Sequence, residues 1–108
     1  MTIWHDMQAA GLIHCGCVLL NGEVQYSCFP AESKKQLAVA KQALMYVFRS
    51  VDKSDKDYDE AHIEIGDALF SGFKLDSDRL LIFLSEHDTN TLQIRQFIDD
   101  NKERFLQL

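Results

Sequence analysis

Arg79-Leu80-Leu81-Ile82-Phe83-Leu84-Ser85 is the stretch that decides the fold. Its apolar residues follow one another instead of alternating. A strand formed here has to be covered on both faces, which places it in the middle of a sheet. A central strand needs neighbours, and the chain offers several. Upstream, Asp76-Ser77-Asp78 turns the chain out of the run Ala68-Leu69-Phe70-Ser71-Gly72-Phe73-Lys74-Leu75. Gly66-Asp67 in turn separates that run from the alternating Ala61-His62-Ile63-Glu64-Ile65 that follows Glu60. Further back, Leu12 to Leu20 is apolar enough for a second strand covered on both faces, and Glu23 to Cys28 alternates polar with apolar. Between them stands Asn21-Gly22, the pair that favours a two-residue turn with φ > 0 at both positions, so a hairpin is expected.

Helices fill the gaps. Thr2 is placed to cap a short one in which Ile3, Met7 and Ala10 share a face, with Gly11 as its stop. Pro30 closes the second strand, and Ser33 with Gln36 has the form of a capping box at the start of a long helix. At ~100° per residue, Leu37, Ala40, Leu44, Val47, Phe48 and Val51 form one face of that helix, and Val39, Ala43 and Tyr46 extend it to one side. The arc is wider than the ~100° stripe that one sheet contact needs. The charged stretch Asp52 to Asp57 reads as a solvated loop. Asp88 or Thr89 is expected to cap the closing helix, where Ile94, Phe97, Ile98, Phe105 and Leu108 make a narrow stripe.

The 108 residues fit one domain over positions 1–108. Acidic residues outnumber basic ones by 17 to 11, and the net charge of -6 opposes both a nucleic-acid backbone and an anionic membrane surface. The beginning of the sequence lacks a basic segment leading into an apolar run, and no stretch approaches the ~20 apolar residues of a membrane span. A cytoplasmic protein with neither nucleic-acid partner nor membrane insertion is expected.

The odd number of cysteines, three, argues against a disulfide framework. Cys15 and Cys17 share a strand face, and a two-residue turn at Asn21-Gly22 would place Cys28 directly opposite Cys15. A zinc site or a cross-strand disulfide is conceivable from that grouping. Small buried apolar side chains are the favoured reading. His5, His14, His62 and His87 are scattered without metal-ligand spacing. A nucleophile pair of His14 with Cys15 or Cys17 is hard to build, because adjacent strand residues face opposite ways. Glu60, Glu64, Asp67, Asp76 and Asp78 lie beside turns or on polar strand faces, where solvation explains them. The phosphate loop G-x-x-x-x-G-K-[ST] is absent. No cofactor and no catalytic cluster is therefore expected. Lys34, Lys35, Lys41 and Arg49 form a basic flank on the long helix, either a solvated face or a docking surface for an acidic partner.

The order αββαβββα, the hairpin Cys17 to Val24, and the run Ile63 to Leu84 ending in Ser85-Glu86-His87-Asp88-Thr89-Asn90 together resemble the roadblock/LC7 family. The resemblance spans nearly the whole chain. It implies an α+β fold with a five-stranded antiparallel sheet, the long helix on one face and the terminal helices on the other. It also implies pairing of two copies through the long helix and the third strand, which assigns Val39, Ala43, Tyr46, His62, Ile63 and Glu64 to a dimer interface. Members of the family serve as dynein light chains, as scaffolds for small Ras-like GTPases, or as bacterial partners that stimulate such GTPases. The expected function is thus a non-catalytic homodimeric adaptor or regulatory scaffold for a small GTPase or a multiprotein complex. Lys34, Lys35, Lys41 and Arg49 are its partner-binding residues. Two alternatives stand beside it. A small acidic secretion chaperone binding an effector segment would also be a mixed α/β dimer. A profilin- or PAS-like sensor would need a ligand cavity, of which Trp4 and the many large core residues give no sign.

Overall fold

The computed structural model describes residues 2–52 and 59–107, with only the backbone of Val51 and Asp52. In chain order the elements are α1 (Ile3–Ala9), β1 (Cys15–Leu20), β2 (Glu23–Ser27), a 3-10 turn (Ala31–Ser33), α2 (Lys34–Asp52), β3 (Glu60–Ile65), β4 (Ala68–Lys74), β5 (Arg79–Glu86), α3 (Thr91–Asp100) and α4 (Lys102–Leu106). The five strands form one antiparallel sheet in the order β2-β1-β5-β4-β3. The continuously apolar strand is the central one, as its sequence requires. It pairs with β1 from Leu84 opposite Cys15 to Arg79 opposite Leu20, and with β4 from Glu86 opposite Ala68 to Leu80 opposite Lys74.

Each face of the sheet has its own core. On one, Cys15, Cys17, Leu19, Phe70, Ile82 and Leu84 lie under Leu37, Ala40, Leu44 and Phe48 of α2. Phe29 stacks on Phe70 at the same face. On the other, Val18, Phe73, Leu81 and Phe83 meet Ile3, Trp4 and Met7 of α1 and Ile94, Ile98 and Phe105 of the C-terminal helices. Trp4, Phe83 and Phe105 pack edge to face, with ring centroids 6.0 to 6.3 Å apart. At ~1.5–3 kcal/mol for each large side chain fully buried, these two layers supply the main driving force for folding. Gly16 lets the second layer close: a Cβ there would lie 2.7 Å from Phe83 and 2.9 Å from Trp4.

The local signals that hold are those set by neighbours in sequence. Thr2 caps α1 by accepting the His5 N–H, and Gly11 follows the helix at φ +73. Asn21 and Gly22 take φ +53 and +84, the hairpin turn expected of that pair. Asp76 Oδ1 accepts the backbone N–H groups of Asp78 and Arg79 and fixes the turn between β4 and β5.

Other expectations are corrected. The closing helix is two helices, because Asn101 leaves helical geometry and its side chain donates to the Phe97 carbonyl, swinging Phe105 under Trp4. Its cap is Asn90, which accepts the Leu92 N–H, not Asp88 or Thr89. Pro30 leads into α2 through the 3-10 turn without a side-chain cap, and Ser33 and Gln36 form no capping box among the described residues. Ala10 is exposed because α1 ends at Ala9, and Trp4 takes the place expected for it. Val47 is also exposed, so the buried face of α2 is narrower than its spacing implied. The stretch read as a solvated loop lies mostly outside the described residues, as does Leu108. A bulge in β2 changes the hairpin register. Leu19 faces Val24 but Val18 faces Tyr26, so Gln25 is the extra residue. Cys28 therefore stands opposite Gly16 rather than Cys15: its N–H donates to the Gly16 carbonyl, and its sulfur accepts the Gly16 N–H.

Candidate interaction surface

Helix α2 covers one sheet face and leaves two flanks of opposite character. Leu37, Ala40, Leu44 and Phe48 point at the sheet, which fixes the direction of every other side chain on the helix. Met45 reaches the hairpin, since a Cβ on Gly22 would lie 3.1 Å from its methyl carbon. The flank carrying Lys41 and Met45 thus faces β1 and β2. The opposite flank, with Val39, Ala43, Tyr46 and Val47, lies toward β3, against which α2 also packs.

That second flank is apolar and open to solvent. Val39 is 59% exposed and Tyr46 72%, while Ala43 is half-buried between them. Beside it runs β3, an outer strand with one side unpaired. Ile63 opposes Phe70 and sits half-buried on the α2 face, whereas His62 opposes Ser71 and Glu64 opposes Leu69 on the other face. Of the six residues assigned to a dimer interface, Val39, Ala43 and Tyr46 share the helix flank and Ile63 the α2 side of the neighbouring edge strand, while His62 and Glu64 lie on that same strand with their side chains on the opposite sheet face.

The basic flank is divided. Lys34 and Lys41 line a groove between α2 and β2, and Arg49 lines a separate depression beside Asn21, Gly22 and the Asp76 to Arg79 turn. Lys35 is exposed and lines neither.

On β3 the fold builds a polar network whose members are separate in sequence. His62 Nε2 lies 2.6 Å from Glu60 Oε2, and its Nδ1 lies 2.8 Å from Ser71 Oγ. A carboxylate only accepts, so Nε2 carries the hydrogen toward Glu60, and Nδ1 pairs with the Ser71 hydroxyl, which can donate or accept. Arg95 reaches across from α3, hydrogen-bonds Asp59, approaches Glu60 and Asp99, and stands over the Phe73 ring at 5.6 Å. A serine, a histidine and a glutamate in sequence of contact have the membership of a nucleophile relay, but Ser71 has no exposed surface. The arrangement satisfies a buried hydroxyl and stiffens the strand edge. Reading the carboxylates as solvated missed Glu60. The alternation Glu60-x-His62 was the available signal, since it puts both side chains on one face.

The cysteines behave as core residues. Burial, with a smaller contribution from Cys28, pushes Cys15 and Cys17 up to about 12, and burial also raises Cys28. None of them is in a disulfide, and no His, Cys, Asp or Glu grouping among the described residues has metal-holding geometry. No described helix is long and apolar enough to cross a membrane.

Solved structures supply the comparison. A roadblock/LC7 domain from Streptomyces avermitillis superposes at a TM-score of 0.66 with 15% identity, covering 91% of this chain and 88% of that one. The chain has the roadblock/LC7 fold. Myxococcus xanthus MglB shares this fold at a TM-score of 0.70 and 10% identity, over 93% of this chain and 85% of its own. MglC from the same organism matches at 0.64 and 11%, over 91% and 88%. No family model and no curated protein matches the sequence. The roadblock/LC7 resemblance read from element order is thus borne out at the level of the fold, with the layers on the expected faces.

Proposed function

We propose that residues 1–108 act in the cytoplasm as a single roadblock/LC7-type domain, a non-catalytic homodimeric adaptor or regulatory scaffold. Two copies join through Val39, Ala43 and Tyr46 of α2 and His62, Ile63 and Glu64 of β3. Lys34, Lys35, Lys41 and Arg49 receive an acidic face of a partner protein, a small Ras-like GTPase or a component of a larger complex. The observation that carries this reading is the 59% and 72% exposure of Val39 and Tyr46 directly beside an unpaired strand edge. Apolar surface in that position gains from burial, and a second copy supplies the same patch with a strand to pair. A symmetric seam then continues both the sheet and the helix layer.

Light scattering on the purified chain at tens of micromolar tests the assembly. A dimer is expected, and Ala43→Glu is expected to give a folded monomer, because an unpaired carboxylate in a closed seam costs several kcal/mol while Ala43 lies off the sheet-facing side of α2. A monomeric unmodified chain at that concentration would rule the reading out.

A further inference from the structure

We infer that β2 is a second docking edge, where an extended segment of a partner protein, alternating acidic and apolar residues, adds as a further strand and sets its side chains against α2. This rests on the reading of α2 as a partner-docking helix and specifies what it takes. All five residues of β2 are exposed, including Val24 and Tyr26 at 42% and 50%, and its outer side has no strand neighbour. Cys28 N–H donates inward to Gly16, so by the alternation of an antiparallel ladder the N–H and C=O of Ser27 face outward. Main-chain pairing at such an edge supplies affinity, and pockets beside it supply selectivity.

The pocket here is the open groove of about 570 Å³ between β2 and α2. Val24, Phe29 and Leu37 give it an apolar floor, Ser27 its strand side, and Lys34 and Lys41 its two charges. No carboxylate lines it, and neither lysine has an ion-pair partner among the described residues, although the chain as a whole carries a charge of -6. Local positive charge around an apolar floor selects acidic and apolar side chains in alternation. The Gln25 bulge favours a partner over a second copy of the same edge, because it twists β2 away from the flat, straight register that two identical strands need.

A fluorescein-labelled peptide of alternating aspartate and valine is the probe, set against a lysine-valine counterpart and two acidic peptides N-methylated at odd or at even amides. Polarisation measures affinity for the intact chain, and amide chemical shifts locate the site. Binding of the acidic peptide alone is expected, with shifts at Val24 to Ser27 and Lys34 to Lys41. One N-methyl isomer should lose about tenfold or more while the other holds, and Lys34→Glu with Lys41→Glu should weaken binding by about tenfold or more with no change in the mass of the assembly. If both N-methylated peptides bind as well as the parent while the lysine replacements still weaken it, the basic flank stands and strand addition is overturned. Absence of acidic-peptide binding, equal binding of the lysine peptide, shifts confined to Val39 and Tyr46, or association of the chain with itself through β2 would each overturn it too. The dimer reading is tested separately by mass.

Discussion

Strands β3 and β2 both leave one side of the sheet unpaired, yet they are exposed in different ways. The β3 edge keeps an unbroken six-residue register with β4 and runs beside the apolar flank of α2. The β2 edge is interrupted at Gln25 and runs beside Lys34 and Lys41. A straight edge next to apolar surface is suited to pairing with a like edge, while a bulge and neighbouring positive charge oppose pairing between two identical edges. One helix thus presents two flanks of different character over a common buried face.

The sharpest way to break this contrast is to put the same charge on each flank. Tyr46→Asp is expected to weaken the seam by about 100-fold or more, close to 2.7 kcal/mol, and to halve the mass seen by light scattering. Lys41→Glu on the opposite flank is expected to leave the mass unchanged. Tyr46 is mostly exposed in the single chain, so circular dichroism melting of the Tyr46 variant should still report a folded protein.

A smaller effect is expected at the turn that abuts the β2 end, where Asn21 N–H donates to the Asp78 carbonyl. Burial opposes ionisation of Asp76, but the N–H groups of Asp78 and Arg79 and the Arg79 guanidinium outweigh it and hold this carboxyl below its ordinary range. A group depressed in this way stabilises the fold above its unfolded pKa and loses that contribution as pH falls through its folded value. Asp76→Asn should therefore cost about 1 kcal/mol at neutral pH, and the difference from the unmodified chain should shrink on acidification. Urea titrations at neutral and acidic pH measure both, and a gap that widens in acid would contradict this account.

At the β3 edge, Ser71→Ala removes the hydroxyl that hydrogen-bonds His62 Nδ1, and is expected to cost about 1 kcal/mol. Hydrogen exchange should rise along β3 more than along β2. The smallest effect is expected from Val24→Lys, within about 0.5 kcal/mol of neutral because that residue is already 42% exposed and lies outside both core clusters. A loss of several kcal/mol on chemical unfolding would mean that the β2 groove is part of the core. Native Cys15 and Cys17 should also resist iodoacetamide at pH 8, since burial holds both near 12 and little thiolate forms.

Much of the fold was legible because its causes are local. Asn21-Gly22, Gly11 and the Asp76-Ser77-Asp78 turn act through their own dihedrals and nearest hydrogen bonds, and the texture of Leu80 to Leu84 already requires cover on both faces. The two arcs of α2 were legible from spacing, although Val47 shows that spacing alone does not set where burial stops. The positions that misled were decided at a distance. Gln25 became a bulge through the pairing of two strands, and Asn101 broke a helix so that Phe105 could reach Trp4. The link from His62 to Ser71 and the reach of Arg95 to Asp59 join different elements, so no single periodicity contains them.

The sequence by itself determined the element order, the central strand, the turns and the surplus apolar arc on α2, because each follows from side-chain period or backbone freedom within a few residues. Only the tertiary structure decided which flank of α2 lies beside β3 and which beside β2, and hence that the apolar arc meets a straight edge while Lys34 and Lys41 meet a bulged one. The physical reason is that spacing sets which face of a helix is buried but not the direction in which the helix crosses the sheet, and that direction is settled only when Leu37, Ala40, Leu44 and Phe48 pack on Cys17, Leu19, Phe70 and Ile82.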